Sequence, residues 1–148
     1  MKKIKNENSV KKKVVKKIIM AAPCGMNCAV CMGYLREKNH CVGCRGIDDG
    51  KIGHCAKCLI YNCKKLKSKS TGFCYSCPDF PCARIKHLEK RYTKRYQISF
   101  IENLMQIKEK GIAAFERAQK KKWKCPQCGG VIGCHTKKCI ACGAVFIL

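Results

Sequence analysis

Acidic side chains are scarce in this 148-residue chain. Nine Asp and Glu stand against 32 Lys and Arg, a formal net charge of +23. None of the nine forms an evident catalytic pair, so chemistry run by two carboxylates is unsupported. Also missing are a phosphate-binding loop, an H-E-x-x-H helix and a nucleophile elbow. No apolar run approaches the ~20 residues of a membrane span. The basic start has apolar pieces (Val14-Val15 and Ile18–Ala22) broken by Lys16 and Lys17, whereas an export signal needs about 7–15 continuous apolar residues. These absences predict a cytoplasmic protein with no membrane association. They give no reaction to name, and the chain reads as a binding protein rather than an enzyme.

What the chain has in excess is sulfur. Eleven of its sixteen cysteines fall between Cys24 and Cys82, a stretch with no apolar run long enough for an ordinary core. Cys24, Cys28 and Cys31 form C-x3-C-x2-C. Cys41/Cys44, Cys55/Cys58 and Cys74/Cys77 are C-x2-C pairs, and Cys63 and Cys82 each follow a pair five residues on. The pattern C-x2-C-x4-C thus occurs twice, the mark of duplicated metal-binding knuckles. C-x2-C is the shortest turn that aims two thiolates at one ion, and two such turns complete a tetrahedral zinc site. Metal would supply folding free energy of about 10–16 kcal/mol per structural site, which a small segment with few large apolar residues needs.

Disulfides would require an oxidising compartment, and nothing in the chain indicates export. Zinc is the first expectation throughout, with a 4Fe-4S cluster the alternative for the Cys24–Cys82 array, since both take four thiolates. C-x3-C-x2-C also resembles the cluster loop of radical SAM enzymes, but the βα repeats of their partial barrel are missing. Cys24, Cys28, Cys31 and Leu35 have in addition the spacing of one helical stripe. Eleven thiols do not fill whole four-ligand sites, so one His or one spare thiol must balance the count. Among His40, His54 and His87, His54 beside Cys55 is a candidate twelfth ligand, though a lone His is more often a surface residue.

The chain divides into four parts. Residues 1–22 carry eight lysines and one glutamate and read as a disordered basic arm. Residues 23–82 are the cysteine-rich module, with a loop at Asp48-Asp49-Gly50. Residues 83–122 are a helical connector. A helix is expected over Ala83–Tyr96, then a capping box at Ser99…Glu102, a break at Gly111, and a helix with Ile112, Phe115 and Ala118 on one face. Residues 123–148 carry Cys125-Pro126-Gln127-Cys128-Gly129 and Cys139-Ile140-Ala141-Cys142-Gly143, the paired knuckles of a zinc ribbon. Trp123 and Val145–Ile147 are expected as short strands over that site, with Cys134 and His135 outside the ligand set. The fold expected is a small, metal-stabilised, irregular α+β structure whose metal sites are separate units.

Three motifs carry a resemblance. They are Cys24-Gly25-Met26-Asn27-Cys28-Ala29-Val30-Cys31, then Cys41-Val42-Gly43-Cys44-Arg45, then Cys74-Tyr75-Ser76-Cys77-Pro78-Asp79-Phe80-Pro81-Cys82. Together they resemble a cysteine-rich prokaryotic family, the domain of unknown function 3795, over about residues 22–90. The resemblance implies a compact metal-binding module and no particular activity.

The charge suggests partners. Four thiolate-zinc sites would leave a net charge of about +15, which favours polyanions. Lysines outnumber arginines 26 to 6, a balance suited to diffuse attraction rather than base reading. Nucleic acid or ribonucleoprotein is therefore the first expected partner. Lys90-Arg91-Tyr92-Thr93-Lys94-Arg95-Tyr96 offers two readings: bases stacking on tyrosine, or a tyrosine stripe packed inward beneath solvated cations. A protein partner docking on Ile101–Leu104 and Phe115 is a further possibility.

Overall fold

The computed structural model describes residues 19–46 and 53–147. Most of the basic arm, the Asp48-Asp49-Gly50 loop and the side chain of His54 lie outside the described residues. The regular structure is mostly helical, against the α+β expectation. Four-residue helices α1 (Met32–Leu35), α2 (Gly53–Ala56) and α3 (Lys64–Lys67) are set among turns, with 3-10 turns at Cys28–Val30 and Cys74–Ser76. Three longer helices follow: α4 (Ala83–Tyr96), α5 (Phe100–Lys110) and α6 (Ile112–Lys122).

The expected bounds of α4 hold. It ends where Gln97 turns left-handed, at φ 53°. The Ser99 hydroxyl accepts from the Glu102 N–H at 3.1 Å, which is one half of the expected capping box. Glu89, reaching over from α4, supplies the rest. Its carboxylate accepts from the Ser99 hydroxyl at 2.6 Å, the Phe100 N–H at 2.7 Å and the Ile101 N–H at 3.2 Å. A negative charge thereby sits on the unpaired amides that begin α5. Gly111 ends α5 and starts α6 at φ 84°.

Two expectations about helical faces fail. The Cys24–Leu35 stripe does not exist as one helix, because Cys31 is extended (ψ 135°) between the 3-10 turn and α1. On α6, Ala118 is exposed and Gln119 is buried in its place. The Gln119 side-chain oxygen accepts from the Trp123 indole N–H at 3.0 Å and from the Asn27 amide at 3.4 Å. A polar side chain sits in the core at no cost in lost hydrogen bonds.

Two apolar clusters hold the chain together. One joins Phe73, Ile85, Leu104, Ile107 and Phe115. Leu104 and Phe115 are at most 1% exposed, which removes them from the docking face expected of them. The other cluster joins Ala22, Met26, Cys28 and Val30 to Phe100, Trp123, Ile132 and Cys134. The N-terminal and C-terminal cysteine segments therefore share a core, where independent units were expected. The tyrosines of α4 belong to it: Tyr92 packs 4.9 Å from Phe100 and 4.9 Å from Tyr96, ring centre to ring centre. The inward-packed reading of that stripe is the one that holds.

Candidate metal centres

The terminal cysteines converge. Cys125, Cys128, Cys139 and Cys142 place their sulfurs within 4.8 Å of one another. Cys125 and Cys142 are 3.7 Å apart, and Cys128 and Cys139 are 3.5 Å apart. A tetrahedral ion with bonds of about 2.3 Å sets its sulfurs about 3.8 Å apart, so the group is shaped for one metal ion.

The backbone explains the convergence. In each knuckle a left-handed glycine closes the turn: Gly129 and Gly143 both have φ 76°, and their N–H groups donate to Cys125 and Cys139. The turn brings amides onto sulfur, as the Gly130 N–H donates to the Cys128 sulfur at 3.4 Å. Gly130 has a second reason to be glycine. A Cβ there would stand 2.9 Å from the Ala141 side chain and 3.0 Å from the Cys139 sulfur. The strands expected around the group reduce to isolated pairings, Lys124 with Val131, Ile132 with Cys139 and Lys138 with Val145. Trp123 is buried beside it, but Val145 and Ile147 face solvent and cover nothing.

Electrostatics follow from four thiols in one place. N–H groups of Cys142 and Ala141 aimed at Cys139 pull its pKa down to about 6. Cys128 receives the Gly130 N–H, yet hydrogen bonds to Cys139 and Cys142 hold its proton and take its pKa up to about 12. The pair loses its protons in sequence, Cys139 first. A divalent cation would draw off the remaining protons, since a coordinating thiol is deprotonated outright.

The eleven N-terminal cysteines are partly or fully buried, and among the described residues none is joined in a disulfide. They fall into three neighbourhoods. In the first, the Cys44 thiol is hydrogen-bonded to Cys28 with Cys24 next in line, and its pKa is pushed far up by that bond and by burial. Burial, with Cys28, Cys74 and Cys58 nearby, takes Cys24 to about 12. In the second, Cys55 is taken to about 11 by burial, beside Cys41 and Cys31. In the third, Cys74 is taken to about 12 by burial, beside Cys82, Cys63 and Cys77. Cys58 lies between the neighbourhoods, near Cys24, Cys55 and Cys74. Among the described residues, the terminal group alone has three or more Cys, His, Asp or Glu ligand atoms mutually within 4.8 Å.

Two features escaped the sequence. Arg45 stands against the first neighbourhood. Its guanidinium donates to the Ala21 carbonyl at 2.8 Å and the Gly72 carbonyl at 3.1 Å, and lies 4.3 Å above the Phe73 ring. It places a fixed cation beside Cys44, Cys28 and Cys24. The Cys-x-Gly-Cys-Arg motif could have flagged it. His135, which is not among the four converging sulfur residues, is a connector. Nδ1 accepts from the Met32 N–H at 3.2 Å, and Nε2 lies 3.2 Å from the Tyr92 hydroxyl.

These features define a cysteine-rich protein with one preformed four-thiol group that could hold a metal ion, and a larger thiol array packed against it. Residues 20–87 match the model of the family described as Protein of unknown function (DUF3795), in agreement with the motifs that begin at Cys24. The terminal four-cysteine group lies outside the matched segment. No curated protein and no solved structure matches the chain. Among the described residues, no helix is long and apolar enough to cross a membrane.

Proposed function

We propose that this chain is a metal-braced, non-enzymatic binding module. Zinc sits at Cys125, Cys128, Cys139 and Cys142, and a lysine-rich face engages nucleic acid, free or in a ribonucleoprotein. The observation that carries the reading is the four-sulfur group at tetrahedral spacing directly after a run of exposed cations. Lys120, Lys121, Lys122 and Lys124 are all exposed, within five residues of Cys125. A rigid metal knuckle fixes where those charges stand. The excess of 32 basic over 9 acidic side chains, reduced but not cancelled by a four-thiolate zinc site, supplies the attraction. Contact through lysine makes the binding tolerant of sequence and steeply dependent on salt. The packing of Tyr92 and Tyr96 into the core argues against base stacking on α4, so the reading rests on phosphate contacts.

Gel-shift titration of single-stranded RNA and duplex DNA across a salt series tests it. The logarithm of the affinity should fall linearly with the logarithm of salt, and Lys120→Gln with Lys121→Gln should flatten the slope by about one to two. No binding at low salt, or binding indifferent to salt, would reject it.

A further inference from the structure

Between α3 and the start of α4 lies a cleft of about 550 Å³ with Cys63, Cys74, Cys77 and Cys82 in its lining. We propose that this cleft is an iron–sulfur site, in which these four cysteines hold a 4Fe-4S cluster distinct from the terminal metal group.

Spacing is the first argument. The terminal cysteines already stand at the separation one ion imposes. The four in the cleft line it without converging: no three of their sulfurs lie mutually within 4.8 Å. A cubane needs that arrangement, because four irons and four sulfides stand between its thiolates, whereas a single zinc draws the thiolates into contact.

The walls are the second argument. Leu66, Phe80 and Ile85 line the cleft together with the cysteines. Leu66 and Ile85 are buried, at 7% and 0% exposure. Apolar walls keep water from the sulfides and stabilise the cluster toward hydrolysis, one of the levers a protein has over such a centre.

Charge is the third. A cubane in its common 2+ state with four thiolates carries a net −2. Lys64, Lys65 and Arg84 all line the cleft, with Asp79 the one acidic residue there, already paired with Lys65. Cys82 is the N-cap residue of α4, which sets it at the positive end of a fourteen-residue helix. The chain supplies its ligands in the order Cys63, then the C-x2-C-x4-C run, which gathers all four from one short stretch. The 3-10 turn at Cys74–Ser76 and the bend through Pro78–Pro81 carry Cys77 and Cys82 around the cleft.

The test uses the full chain, purified and kept without oxygen, then treated with ferrous iron and sulfide under reducing conditions. Expected is a brown protein with a broad charge-transfer absorption bleached by dithionite, a reduced-state EPR signal, and iron still bound after desalting. Cys77→Ser should lower bound iron by about four atoms per chain while leaving zinc at the terminal group unchanged. Cys142→Ser should do the reverse, removing zinc and keeping the absorption. The second variant separates this site from the zinc reading and remains informative if Cys77→Ser fails to fold. A colourless protein that binds no iron after reconstitution, or X-ray absorption showing zinc with four sulfur neighbours at Cys63, Cys74, Cys77 and Cys82, would overturn the proposal.

Discussion

The backbone N–H of Cys134 donates to the carbonyl of Val30 at 2.9 Å, tying the terminal knuckles to the first cysteine motif. The Met32 N–H to His135 contact lies beside it, and Trp123 and Ile132 fill the same apolar cluster as Met26 and Val30. Metal bound at the terminal group would therefore support more than its own loop. On the zinc reading proposed above, Cys125→Ser should lower bound zinc by one per chain and expose Trp123, the single tryptophan, now 3% exposed. Its fluorescence should shift to the red. Hydrogen exchange should quicken at Val30 and Met32 as well as at residues 123–147. Quickening confined to 123–147 would show that the shared core does not couple the two segments.

Gly25 is the glycine of the first cysteine motif, and its surroundings explain why that position tolerates nothing larger. Its φ is 91°, and a Cβ would stand 2.9 Å from both the Leu104 side chain and the Phe100 carbonyl oxygen. The left-handed backbone alone costs a side chain about 1–2 kcal/mol, and the contact with α5 adds to it. Gly25→Ala should destabilise the protein by about 2 kcal/mol or more, read by urea denaturation. Gly53→Ala is the control: nothing lies within 4 Å of the added atom, and little change is expected.

The helices and the terminal knuckles were legible because their signals are local. Ser99 followed by Glu102, a glycine between two periodic runs, and C-x2-C-G repeated after a short spacer each act within a few residues. The grouping of the eleven other thiols was not legible. It depends on chain returns such as Cys74 N–H to the Pro23 carbonyl at 2.9 Å, which spacing does not encode. Three other residues were misread or passed over for the same reason. Gln119 replaces Ala118 in the core because Trp123 and Asn27 need an acceptor there. Arg45 bridges segments distant in sequence. Glu89 caps a helix other than its own.

That last contact is testable by itself. Glu89 is the sole carboxylate among the described residues that accepts from the first amides of α5, with Phe100 at 2.7 Å and Ile101 at 3.2 Å. Glu89→Gln keeps the shape but removes the charge and one acceptor oxygen. Hydrogen bonds to a charged group contribute about 1.5–3 kcal/mol, and part of that survives through the remaining oxygen. A loss of about 1–2 kcal/mol is expected. Amide exchange at Phe100 and Ile101 should quicken most. An unchanged denaturation midpoint would show that Ser99 alone suffices to cap α5.

His135 gives the fold a dependence on pH. Burial, aided by the neighbouring charge of Lys137, holds its pKa below the ordinary value of 6.5. Geometry favours the neutral ring as well: Nδ1 accepts the Met32 N–H, so the ring proton belongs on Nε2, facing the Tyr92 hydroxyl. A proton added to Nδ1 would stand against the Met32 N–H, with only the Cys134 sulfur, a weak acceptor 3.3 Å away, to receive it. The folded pKa lies below the unfolded one, so the unfolded chain takes up the proton first as pH falls. The stabilisation from the neutral ring is therefore fully present above about pH 6.5 and declines as pH drops below that value toward the folded pKa. In His135→Gln, the side-chain oxygen can accept the Met32 N–H at any pH. Chemical denaturation of both proteins at several pH values, with metal loading held equal, should show wild type losing stability relative to the variant below about pH 6.5. Parallel curves throughout that range would show that His135 does not titrate differently in the two states, and that its contact with Met32 survives protonation.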